Sequence, residues 1–153
     1  MDNLRNLKDH FAYLNFPKDA IEWLLEAYNS IQVLDDVKDK DYDKITDESF
    51  DSMVWFLLVG CPINPFYVQH KHILVPVIAN ALMKWNAANA VEKKGLPSEV
   101  SFVWRAAYYD LVLCVATICH GRVNAGIMAP SIMGIYSESF EKYKQEFSET
   151  SNA

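Results

Sequence analysis

The chain has 153 residues, enough for one domain with a sizeable core, and 51% of them are hydrophobic, which excludes general disorder. A formal net charge of −6 and a pI near 5.1 exclude the wrapping of bare nucleic acid, which needs a basic footprint. With 5 Gly and 6 Pro there is little turn chemistry for an all-β fold, and 3 Cys make no disulfide framework. The polar N-terminus from Asp2 is no signal peptide, and the longest apolar stretches read as too short to span a bilayer. The expectation is a soluble cytoplasmic protein with free, buried Cys61, Cys114 and Cys119, and with no direct nucleic-acid or membrane partner.

Leu4, Leu7, Phe11 and Leu14 share one face of a first amphipathic helix. A second begins near Pro17, with Ile21, Leu24, Leu25, Tyr28 and Ile31 at three- and four-residue steps, and continues through Gln32-Val33-Leu34-Asp35-Asp36-Val37-Lys38-Asp39. After a linker over residues 41–46, Asp47 caps a short apolar helix that stops at Gly60. Asn64 and Pro65 open a fourth helix reaching residues 94–95, with Pro76 expected to kink it. A fifth runs from Pro97 or Ser98 to His120-Gly121. Between Leu111 and Cys119 only Thr117 is polar, which makes it the central packed helix. Residues 122–134 read as irregular, and Phe140, Tyr143 and Phe147 line a final amphipathic helix. The fold class is therefore all-α: a single-domain bundle of five to six helices over residues 1–147, with residues 148–153 as a flexible tail.

The acidic run carries the strongest chemical signal. Continued at about 100° per residue, the stripe of the second helix brings Asp35 and Asp39 within about 40° of Ile21, with Gln32 and Asp36 on its flank. Inward carboxylates at a helix C-terminus oppose the macrodipole and call for a compensating charge, for which a divalent cation such as Mg²⁺ is one source. The competing reading ends the helix near Leu34 and leaves the acids solvated, as the interleaved Lys38, Lys40 and Lys44 favour. An EF-hand is excluded: counted from Asp39, position six is Lys44 rather than Gly and position twelve is Phe50 rather than Glu.

The Gln32 to Asp39 run resembles the aspartate-rich helix of the isoprenoid synthase fold, the all-α polyprenyl diphosphate and terpene synthases. The resemblance covers fewer than ten residues. It implies Asp35, Asp36 and Asp39 as Mg²⁺ ligands, Gln32 one turn earlier beside the substrate, and an allylic diphosphate as ligand. The chain departs from that family in its size, about half the usual, and in lacking a second aspartate-rich motif; Asn86, Asn89 and Glu92 do not have the spacing of the second terpene-cyclase metal motif. The chain is also similar in general character to short phage-encoded proteins.

Asn80 and Lys84 lie one turn apart on the fourth helix, with Gln69 at the edge of their face, and Arg105 and Asp110 flank the apolar face of the fifth. A bundle that gathered these residues beside Asp35 would place Asn80, Lys84 and Arg105 on phosphate oxygens. Equally, the cations can pair directly with neighbouring carboxylates. His70 and His72 point about 200° apart on a helix, and His120 suits a helix C-terminus. Three functions remain: a metal-dependent domain that binds or processes a phosphorylated small molecule; a non-enzymatic acidic protein that docks on a basic protein partner, a phage-encoded inhibitor being one form; and a homodimer or larger oligomer of aromatic-rich helices. The acidic reading draws on residues 35–51, which hold eight acids against three lysines.

Overall fold

In the computed structural model the described residues, 2–136 and 138–150, form helices and turns and contain no strand, so the chain is all-α. Two compact units divide it, Met1–Lys71 and His72–Ala153.

The first unit holds α1 (Asp2–Tyr13), α2 (Lys18–Asp39), a 3-10 turn (Tyr42–Lys44), α3 (Asp47–Trp55), a π-turn (Phe56–Gly60), the short α4 (Cys61–Ile63) and the start of α5 (Pro65–Lys93). Asn15 ends α1: at φ 53 it enters the left-handed region, and the Phe16 N–H then donates back to the Phe11 carbonyl at 3.2 Å. Lys40 does the same for α2, at φ 65. The N-cap of α3 is Thr46 rather than the expected Asp47. Thr46 Oγ1 accepts from the Ser49 N–H and Ser49 Oγ accepts from the Thr46 N–H, a reciprocal pair that satisfies two orphan donors. The expected stop at Gly60 does not occur; Gly60 stays helical (φ −60, ψ −47) and passes the chain through the π-turn into α4. Both α1 and α3 pack on α2, whose buried residues are Ala20, Trp23, Leu24, Ala27, Ser30 and Val33.

The second unit holds the rest of α5, then α6 (Glu99–Arg105), α7 (Tyr108–Met133) and α8 (Phe140–Thr150). Gly95, at φ 67, closes α5, and a Ser98–Ser101 capping box opens α6. The expected fifth helix is two: the backbone at Ala106 (ψ 13) leaves the helical region before α7 begins. Residues 122–133, read as irregular, resume the helix beyond a kink at Gly121 (φ 75, ψ 168). That continuation makes α7 long and apolar enough, by length and composition, to cross a bilayer, contrary to the sequence expectation. Leu111, Val112, Val115 and Ala116 of α7 are buried. The helix α8 extends to Thr150, into the segment expected to be a loose tail; residues 151–153 of that tail lie outside the described residues.

Candidate functional site

Three polar assemblies concentrate the chemistry. The first is the acidic end of α2. Its buried stripe follows Trp23, Ala27, Ser30 and Val33 rather than Ile21, Tyr28 and Ile31, because helix contacts select the residues one step earlier. Counted from Val33, Asp39 then sits about 120° around the helix, and it is exposed, while Asp35 and Asp36 are half-buried. The expected inward phase therefore fails for Asp39. Gln32 is exposed as well. Lys44 folds back on this end: its Nζ lies 2.5 Å from Asp41 Oδ2, and its pKa is raised by that hydrogen bond and the Asp41 charge, with Asp36 and Asp39 adding to the field. Lys44 thus compensates part of the charge at this end. Among the described residues no three His, Cys, Asp or Glu side chains gather as a metal-holding group, so Asp35, Asp36 and Asp39 do not converge on one Mg²⁺ position.

The second assembly is a shallow groove of about 550 Å³ in the second unit, lined by Val77, Asn80, Met83, Lys84, Asp110 and Leu113. It unites two sequence candidates, Asn80 and Lys84, but the Lys84 ammonium is paired with the Asp110 carboxylate.

The third assembly takes the remaining candidate, Arg105, into a buried cluster. Its Nε donates to Glu92 Oε1 at 2.5 Å, one Nη pairs with Oε2, and that Nη also donates to Asn89 Oδ1 at 3.0 Å. From α8, the Tyr143 hydroxyl donates to Glu92 Oε1 at 2.8 Å and lies 2.7 Å from Ser101 Oγ. Tyr143 is 1% exposed, and burial pushes its phenol pKa up to about 12; Ser101 opposes that shift and Glu92 adds to it. Phe102 packs its ring 5.4 Å from those of Tyr136 and Tyr143, which closes the cluster with aromatic surface.

Compared with known families, characterised proteins and solved structures, the chain matches none.

Sequence reasoning passed over Glu92, Ser101 and Tyr143. Glu92 was weighed only within a metal motif, and Tyr143 only as an apolar residue. It also passed over a contact at the π-turn. There the Trp23 indole N–H donates to Cys61 Sγ at 3.2 Å, and a Cβ on Gly60 would stand 3.2 Å from Glu26 Oε2. Burial, then the charge of Glu22, raises the Glu26 pKa; burial also raises the Cys61 thiol. A thiol shifted upward is a poor nucleophile at neutral pH.

The charge is unevenly spread. Residues 1–71 carry 13 acids and 7 bases, whereas residues 72–153 carry 7 of each, so the whole net charge of −6 belongs to the first unit. Its acids cluster on the second half of α2, the 3-10 turn and α3.

Proposed function

We propose that this protein is a non-enzymatic, cytoplasmic interaction module whose acidic first unit docks on a basic protein surface. The observation that carries the reading is the placement of the charge: residues 35–51 hold eight acids, of which Asp39, Asp41, Asp43, Asp47, Glu48 and Asp51 are exposed. An exposed single-sign patch of this kind steers association and selects oppositely charged partners. The cations of the second unit support it from the other side, since Lys84 and Arg105 are each paired with a carboxylate of their own unit. The apolar run of residues 111–119 serves in this reading as the central core helix of a bundle.

Fluorescence anisotropy of a labelled lysine-rich peptide tests the reading. Binding should weaken steeply between low and physiological salt, and should fall in the triple variant Asp35→Asn, Asp36→Asn, Asp39→Asn. Salt-independent binding, or none at low salt, contradicts it.

A second reading keeps Asp35 as a Mg²⁺ ligand for a diphosphate-bearing small molecule, with water and phosphate oxygens filling the other positions. The half-burial of Asp35 favours it. It predicts that millimolar Mg²⁺ raises the melting temperature over EDTA for the wild type and not for Asp35→Asn. The docking reading predicts equal, small effects in both.

A further inference from the structure

From Asp47 to Ile63 the helix α3, the π-turn and α4 follow one another without an intervening loop. Met53 and Phe56 face the core, each 6% exposed. Counted at about 100° per residue, Glu48, Asp51 and Trp55 fall within about 40° of the side opposite Met53. Beyond them the exposed apolar residues continue through the π-turn and α4: Trp55 is 63% exposed, Leu58 72% and Ile63 68%, while Phe50 and Leu57 lie nearer the Met53 side. Single exposed apolar side chains are ordinary, but a run of this density rimmed by charge marks an interaction surface, and tryptophan is the residue most often found at its energetic centre.

We propose that this face receives one amphipathic helix of a partner protein, with two or three apolar side chains over Trp55, Leu58 and Ile63 and a Lys or Arg pair over Glu48 and Asp51. The proposal rests on the acidic-docking reading above and gives its partner a shape. Charge complementarity selects this occupant. No Lys or Arg occurs between Lys44 and Lys71, so the face has no cation of its own. A second copy laid on it in parallel would set carboxylate against carboxylate. Laid antiparallel, it would bury Glu48 and Asp51 under Trp55 and Leu58 with no counter-charge, a costly arrangement. An anionic bilayer is repelled by a unit of net charge −6. The polarity of the stripe also orients the partner: at about 1.5 Å per residue, Glu48 to Leu58 spans about 15 Å, so the guest needs about three turns, basic at one end only.

The test titrates the full chain with three synthetic helical peptides of equal length. One has three leucines at i, i+4 and i+7 and two lysines one turn beyond; a second replaces the leucines by glutamine; a third replaces the lysines by glutamate. The first should bind, and each control should bind at least about tenfold more weakly. Two double variants report from the other side, Trp55→Ser with Leu58→Ser and Glu48→Gln with Asp51→Asn, their folding checked by circular dichroism. Each should weaken the first peptide by about tenfold or more. If the apolar double variant binds as the wild type does, or the glutamine peptide binds equally well, the inference falls while acidic docking stands. If no peptide binds, including the unstructured lysine-rich one, both fall. Self-association abolished by Trp55→Ser, or capture by neutral vesicles in place of peptide, also overturns it.

Discussion

Two groups of charges in this molecule meet opposite fates. Glu92 and Arg105 are withdrawn from water, 5% and 16% exposed at the side chain, and bonded to each other and to Asn89 and Tyr143. The carboxylates of residues 35–51 stand largely in solvent, with Lys44 paired to Asp41 among them. Both groups stood in the sequence simply as polar residues on helices or in the linker between them. The difference lies in what each can do. A buried pair that loses a partner leaves an uncompensated charge, so it locks structure. A solvated cluster contributes little to stability and leaves its field free to act on other molecules.

The contrast can be broken most forcefully at Arg105. The variant Arg105→Ala should lose about 3–5 kcal/mol in urea unfolding, because Glu92 stays buried without its partner. Arg105→Met combined with Glu92→Leu should recover most of that loss. Next comes Tyr143→Phe, which removes the hydroxyl bonding Glu92 and Ser101 and should cost about 1–3 kcal/mol. The same residue gives a pH signature. Its folded pKa, about 12, lies above the ordinary value of 10, so its contribution is complete below about pH 10 and is lost as pH rises to about 12. Alkaline melts of the wild type should steepen in that window, and those of Tyr143→Phe should steepen less.

Smaller effects sharpen the other side. Glu26 has a raised pKa, so the folded state holds its proton more tightly, and stability falls as pH rises through that pKa. Glu26→Gln should therefore melt higher than the wild type at neutral pH, with the gap closing near pH 4. Asp39→Asn should change stability by less than about 0.5 kcal/mol, as expected for an exposed side chain.

Much of the fold was legible in the sequence. The recurrence of Leu7, Phe11 and Leu14, the Asn64–Pro65 start of α5 and the Ser98 start of α6 all follow from local rules, and each stands in the structure. What local rules missed depends on docking between elements. The stripe of α2 was placed one residue late because Ile21, Tyr28 and Ile31 are as apolar as the residues that pack, and only the neighbouring helices choose between the two. That small rotation turned Asp39 from an inward ligand into a solvent-facing acid. Arg105 was read as a cation for phosphate oxygens or, alternatively, for a neighbouring carboxylate, but Glu92 could not be named as that carboxylate because it lies across the Gly95 turn, and no period links the two. The continuation of α7 past Gly121 was missed for a simpler reason: a glycine at φ 75 reads as a stop, and here it is a kink.

The most direct test of the central claim is a map of backbone amide shifts in the full chain on addition of the amphipathic lysine peptide. The account predicts perturbations confined to residues 35–63, fading together as salt is raised. Perturbations centred on Val77, Asn80, Lys84, Asp110 and Leu113, with residues 35–63 unmoved, would contradict it.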